Sequence, residues 1–153
     1  MVCGAICVPI DGAPTDVTES YRWPSDQLVD GLRECGLSAR RVEVDEARDD
    51  VARLRAATDD VSRLLLSACY GALSPHEIVV GRAKLVGLAQ VRRRHAALYQ
   101  FGILLQDQSR LADYLVVHNA AEREELRARL RERTVGLCML ESSSNWQHAQ
   151  PVP

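Results

Sequence analysis

Hydrophobic and polar residues recur along the chain with two different periods, and these periods predict strands and helices in turn. The apolar run Val2–Pro9 ends at a proline followed by an Asp-Gly turn, which predicts a first strand. Leu28, Leu32 and Cys35 recur at helical spacing and predict the buried face of a helix. Gly36 follows directly and is a typical helix end.

The stretch after this helix is rich in aspartate and arginine. Residues 40–44 alternate like an exposed strand, and residues 45–67 carry apolar residues at roughly helical spacing, which predicts one or two helices. Near the other end of the chain, Asn119 followed by Glu122 is a helix-capping signal. We therefore expect a further helix that runs to Arg133.

The central segment predicts three antiparallel strands. Glu77–Val80 is rich in β-branched residues, residues 81–83 supply a tight turn, and Lys84 opens the second strand. A third strand is expected over Ala96–Leu105. Gly102 lies inside it, where a glycine indicates a bulge or the close approach of another group.

Together these elements predict one α+β domain, with a mixed, mainly antiparallel sheet flanked by helices, over residues 1–140. Residues 141–153 lack periodicity and predict a flexible tail. A chain of 153 residues with 46% hydrophobic and 26% charged residues is long enough to bury a core.

Composition and charge exclude several classes of partner. A net charge of −2 gives no general attraction to nucleic acid or anionic lipid, and no apolar run reaches membrane-spanning length. The basic run at residues 92–95 has neither a broader basic face nor interleaved aromatic residues. Five cysteines, an odd number without a CxxC pair, predict reduced thiols and a cytoplasmic location.

One basic residue differs from all the others. The chain has 19 basic residues, and Lys84 is the only lysine among them. This indicates a site that needs a compact ammonium, whose three rotatable donors a planar guanidinium does not imitate. Chance survival of one lysine explains the composition equally well, so Lys84 taken alone leaves both interpretations open.

The surroundings of Lys84 resemble a known family. The runs that carry the likeness are residues 84–94, 98–105, 68–70, 74–77, 109–115 and 130–134. In this order and spacing they resemble the catalytic domain of lipoate-protein ligases and octanoyltransferases. The resemblance implies the biotin/lipoate ligase catalytic-domain fold and an enzyme that acts in protein lipoylation.

The resemblance also implies roles for individual residues. The lysine that matches Lys84 points into an acyl-adenylate pocket, where a fixed cation stabilises both the oxyanion and the leaving phosphate. Gly87 and Ala89 are small and would let the substrate approach the strand closely. Gln100 and Gly102, on the next strand, are expected to help bind the cofactor or the lipoyl or octanoyl group.

Glu77 matches the position of an acidic residue that holds the metal of a bound nucleotide. Magnesium takes few oxygen ligands from protein, so one carboxylate at this position is sufficient. The leading hypothesis is therefore a ligase that uses ATP and Mg²⁺ to make a lipoyl- or octanoyl-adenylate. Lys84 would hold this adenylate while a lysine of a lipoyl-carrier domain attacks it.

Cys69 supports a second hypothesis that needs no ATP. Octanoyltransferases resemble this chain at Ala68-Cys69-Tyr70, and the family's cysteine takes the acyl chain as a thioester. Positive charge from Lys84 would favour the thiolate. The alternative for Cys69 is a buried apolar filler, which is the common state of a free cysteine.

The most serious departure of the chain from the family lies at its beginning. The resemblance implies a segment of paired arginines, Ser or Thr, three glycines and a histidine before the strand Val2–Val8, and the chain contains no such run. We therefore expect an N-terminally truncated domain with an open sheet edge, which associates with itself or with a complementary subunit. A third hypothesis follows, in which the chain is a non-catalytic partner or remnant.

Overall fold

The computed structural model describes residues 1–141. Over these residues the chain forms strands β1 to β5 and helices α1 to α5. In chain order they are β1 (Val2–Pro9), α1 (Arg22–Glu34), β2 (Ala39–Arg41), α2 (Val44–Ala56), α3 (Asp60–Ser67), β3 (Ile78–Val80), β4 (Ala83–Arg92), β5 (Ala96–Ile103), α4 (Ala120–Arg133) and α5 (Leu137–Glu141). Within residues 1–141, no helix combines the length and the apolar character needed to cross a membrane.

The five strands form one sheet in the order β1-β5-β4-β3-β2, and every neighbouring pair is antiparallel. A single parallel bridge joins Lys84 to Thr134. The predicted α+β fold with a mainly antiparallel sheet and flanking helices is therefore confirmed. Because β1 pairs only with β5 among the described residues, its other edge is free.

Most of the predicted elements are present, and the one or two helices expected between residues 45 and 67 are two, α2 and α3. The predicted strand at residues 40–44 is shorter than expected, because Val44 already begins α2. Asp45 and Glu46 lie in the first turn of this helix, where negative charge is favourable. Of the predicted tail, only Glu141 lies within the described residues, as the end of α5, and residues 142–153 lie outside them.

The first helix ends as its sequence predicts. Gly36 has φ +82° and terminates the helix in the left-handed conformation that glycine adopts easily. The prediction that Cys35 is buried is wrong, since its side chain is exposed. The buried face of α1 is instead formed by Ser25, Val29 and Leu32.

Helices cover the sheet through separate apolar clusters. The first joins α1 to the centre of the sheet and contains Val29, Leu32, Leu37, Ala39, Ile78, Leu85 and Val86. The second joins α3 to α4 and contains Leu54, Val61, Leu65, Ala112, Leu126 and Leu130. Burial of the first cluster removes apolar surface from water and fixes α1 relative to the strands, and burial of the second fixes α3 relative to α4.

The connecting segment, residues 68–77, links α3 to β3. A buried carboxylate on α2 accepts a hydrogen bond from the backbone of this segment. Asp50 of α2 is 3% exposed and accepts hydrogen bonds from the Leu73 backbone N–H at 3.0 Å and from Arg133 of α4. Arg133 also donates to the Gly71 carbonyl at 2.6 Å. Two helices therefore fix the position of a segment without regular secondary structure.

Replacement of Asp50 by alanine is expected to lower the free energy of unfolding by about 3 kcal/mol, because it orphans the Leu73 amide and unpairs Arg133. Urea unfolding measures this loss. Asp49→Ala is the matched control, since Asp49 is the exposed neighbour on the same helix. Equal stability of the two variants would show that Asp50 does not hold the segment.

Candidate active site

A cavity of about 420 Å³ lies between the connecting segment and the β4–β5 hairpin. All the predicted site residues line it: Cys69, Glu77, Lys84, Gly87, Ala89, Gln100 and Gly102. The structure therefore brings together residues from the connecting segment and from two neighbouring strands. Their individual roles stay predictions.

The polar centre of the cavity is a buried ion pair. Lys84 is 3% exposed and Glu77 is 5% exposed, and the lysine Nζ lies 2.7 Å from the glutamate Oε2. Nζ also donates to the Ala72 carbonyl at 2.5 Å. An ammonium has three N–H donors. Within residues 1–141 these two oxygens are its hydrogen-bonding partners, which leaves one donor for a bound group.

The environment of Glu77 acts on its protonation in two opposing ways. Burial raises the pKa of its carboxyl above the ordinary value, and the positive charge of Lys84 opposes part of that rise. Backbone hydrogen bonds from Ser74 and Leu88 oppose it as well, with the Ser74 N–H 2.7 Å from Oε2. Burial of the pair therefore costs desolvation free energy, and removal of either partner would leave the other as an uncompensated buried charge.

The same contacts do not fit a magnesium ion at Glu77. Its Oε2 already accepts from the Lys84 ammonium and the Ser74 amide, so a metal ion at that oxygen would lie beside a like charge. Among the described residues, the one group with three or more closely spaced metal-ligating side chains lies outside this cavity, at Asp60, His118 and Glu122.

His76, the neighbour of Glu77, does not line the cavity. Its ring is buried, and its Nδ1 lies 2.6 Å from the Arg41 guanidinium. Burial lowers the pKa of His76, and the charge of Arg41 lowers it further. The ring therefore packs neutral beside the site.

Cys69 lies in a tight turn at the start of the connecting segment. The Gly71 N–H donates to the Ala68 carbonyl at 2.9 Å, which makes Cys69 and Tyr70 the two central residues of the turn. The Cys69 side chain is exposed and lines the cavity. The interpretation of Cys69 as a buried apolar filler is therefore wrong, because the turn projects the residue away from both apolar cores.

Tyr70 also lines the cavity, and the sequence did not predict it as a site residue. Its hydroxyl donates to the Gly102 carbonyl at 2.9 Å. A Cβ placed on Gly87 would lie 2.9 Å from the Tyr70 ring, and one placed on Gly102 would lie 2.6 Å from its hydroxyl. The space above Gly87, which we expected to admit substrate, is thus filled by Tyr70. A pair of glycines facing each other across a hairpin was the signal in the sequence.

The remaining wall is open and mostly apolar. Ala89 and Gln100 are exposed and face each other across β4 and β5. Phe101 lines the cavity and packs against Gly4 of β1, where a Cβ would lie 2.2 Å from the ring. Leu88 extends the apolar surface. An apolar wall next to one buried cation suits a ligand with an apolar chain and a polar head group.

Known proteins resemble this chain in sequence. No protein-family model matches the chain. Octanoyltransferase LipM of Kyrpidia tusciae is 38% identical over 127 residues, which cover 82% of this chain and 43% of that protein. Octanoyltransferase LipM of Bacillus subtilis is 28% identical over 125 residues, which cover 81% of this chain and 42% of that protein. The chain thus spans less than half the length of these relatives.

A solved structure supports the fold. A bi-partite lipoate protein ligase from Thermoplasma acidophilum superimposes with a TM-score of 0.58 at 18% identity, over 87% of this chain and 40% of that one. The fold is that of an α+β domain of the lipoate ligase type. With the sequence relatives, it places the chain in the lipoate-protein ligase and octanoyltransferase family, which confirms the resemblance.

Loss of Lys84 is expected to make stability depend on pH. In Lys84→Met, the buried Glu77 loses its counter-charge and its pKa rises further above the ordinary value, so the folded state binds this proton more tightly than the unfolded state does. The loss in free energy of unfolding is therefore smallest near about pH 4 and grows as pH rises from the ordinary pKa to the folded pKa. Near neutral pH it should reach about 3–5 kcal/mol.

Urea unfolding from about pH 4 to about pH 8 tests this dependence, since the range spans the ordinary and the raised glutamate pKa. The double variant Lys84→Met/Glu77→Gln is the control, because it removes both charges and should lose the added pH dependence. A penalty in Lys84→Met that is the same at every pH would contradict the assignment of Glu77 as its source.

Proposed function

We propose that this chain carries the acyl-transfer site of an octanoyl- or lipoyl-transferring enzyme, in which Cys69 holds the acyl group as a thioester. One observation carries the proposal. An accessible thiol at Cys69 and a buried ammonium at Lys84 line the same largely apolar cavity. The sequence relatives with this segment bear the name octanoyltransferase, which supports acyl transfer as the reaction.

In the first step, the Cys69 thiolate attacks the carbonyl carbon of an octanoyl thioester on a carrier protein. A carbon–sulfur bond to Cys69 forms, the bond to the donor sulfur breaks, and the donor leaves as a thiolate that takes up the proton that the Cys69 thiol lost. The carbonyl oxygen becomes negative on the way. The free N–H of Lys84 provides a fixed cationic donor for this oxyanion.

In the second step, the neutral amine of a lysine on a lipoyl-carrier domain attacks the thioester. An amide bond forms, the bond to the Cys69 sulfur breaks, and the proton lost by the amine returns to the thiolate. The cycle then starts again with a free thiol. Neither step needs ATP, because the donor thioester is already activated.

The adenylate route is the alternative for the same cavity, with Lys84 holding a lipoyl-adenylate made from ATP. Its support is weaker, because the carboxylate expected to hold Mg²⁺ is engaged by Lys84 and by the Ser74 amide. The likeness to the ligase rests on fold alone at 18% identity. We therefore place the thioester route first.

The proposed enzyme also includes a further chain or a second copy at β1. The outer edge of this strand offers unpaired backbone donors and acceptors to another strand. Cys3, Ala5 and Cys7 alternate as exposed residues along it. We prefer a complementary subunit as the partner, because a strand of another chain can add to this unpaired edge.

The chain, alone and co-purified with any complementary subunit, is expected to gain one octanoyl group from an octanoyl-carrier donor without ATP. Mass spectrometry should place the added mass on Cys69, and hydroxylamine should remove it, because it cleaves thioesters. Cys69→Ser should abolish the modification. Cys35→Ser is the control, since Cys35 is exposed but does not line the cavity.

Two other results would overturn the thioester route. ATP-dependent pyrophosphate release that Cys69→Ser leaves unchanged would establish the adenylate route instead. No acylation and no pyrophosphate release in any assembly would identify the chain as a non-catalytic partner.

A further inference from the structure

Tyr70 has a backbone conformation that a tyrosine rarely adopts. Its φ is +68°, and it occupies the third position of the turn formed by residues 68–71. A positive φ at this position favours glycine or asparagine, because a Cβ is crowded there. Such strain persists only where the surrounding structure enforces it, and it is concentrated at functional sites.

The surroundings that enforce this conformation lie on the β4–β5 hairpin. Gly87 and Gly102 are partners across the two strands, and both leave room for the same side chain. The Tyr70 ring lies against the first glycine, and its hydroxyl donates to the carbonyl of the second at 2.9 Å. Three positions far apart in sequence thus form one anchoring contact.

The same ring also contacts the ion pair. The Lys84 Nζ lies 5.3 Å from the ring centroid, within the range of a cation–π attraction. Burial raises the pKa of Tyr70 above its ordinary value, so its hydroxyl remains a donor at neutral pH. Tyr70 is therefore tied to the hairpin and to the cation, and its backbone continues directly into Cys69.

We propose that Tyr70 is a positioning residue that holds the turn so that the Cys69 thiol faces Lys84 across the cavity. The inference rests on the proposed role of Cys69 and adds what fixes its place. Cys69 itself has an exposed side chain, so packing of that side chain does not orient it. The strained neighbour supplies the orientation through its own side chain.

The first test measures single-turnover acylation of Cys69 by an octanoyl-carrier donor in the active assembly. Tyr70→Phe keeps the ring and loses one hydrogen bond, so the rate should fall about fivefold. Tyr70→Gly suits the positive φ but removes the anchor, so the rate should fall about 100-fold. The donor concentration at half-saturation and the circular dichroism spectrum should stay unchanged in both variants.

Tyr114→Phe is the matched control, because Tyr114 is 78% exposed. A Tyr70→Gly variant that acylates as fast as the parent would overturn the proposal.

The second test asks whether Tyr70 and Gly87 act as one unit. Gly87→Ala should lower both the acylation rate and the thermal midpoint in the parent, because its Cβ meets the Tyr70 ring. In the Tyr70→Gly background the same change should have no further effect. Gly31→Ala is the control, since a Cβ there meets no atom within 4 Å.

Additive effects of the two changes would show that Tyr70 does not hold the turn against the hairpin. The thermal midpoint is measured without acyl transfer. Failure of the proposed acyl-transfer function is therefore distinguishable from failure of the proposed role of Tyr70. If the parent chain forms no acyl-Cys69, the proposed function fails, while the coupling of midpoints still decides whether Tyr70 is the anchor.

Discussion

The buried pair of Lys84 and Glu77 is the constraint on which the rest of the site depends. Both charges are almost completely removed from water, and neither is tolerable there without the other. The pair also binds the backbone of the connecting segment, since Lys84 donates to Ala72 and Glu77 accepts from Ser74. The ion pair thus holds the connecting segment against the hairpin, and the cavity lies between the two.

This arrangement lets Lys84 stabilise the fold and also, in the proposed mechanism, take part in the chemistry. Two donors of the Lys84 ammonium are committed to the fold, and the remaining donor lies in a cavity with apolar walls, where a cation stabilises an oxyanion more strongly than in water. Asp50 and Arg133 hold the other side of the connecting segment. The turn formed by residues 68–71 is therefore held between a helix pair and a sheet.

Local patterns predicted most of the fold because they depend on neighbours in sequence. The hairpin around Gly81, the helix end at Gly36 and the cap at Asn119 all formed as expected, since each depends on a few adjacent residues. The predicted residues line one cavity because the family resemblance runs through contiguous segments that the hairpin then brings together. Residues 142–153 lie outside the described part of the chain.

By itself, the sequence determined most of the strands and helices through periodicity, and the family resemblance named seven of the residues that line the cavity. Only the tertiary structure decided that Cys69 is exposed, that Tyr70 rests on Gly87 and Gly102, and that Glu77 pairs with Lys84. These facts depend on contacts between segments distant in sequence. Their energies come from burial and desolvation, which exist only once the segments have packed together.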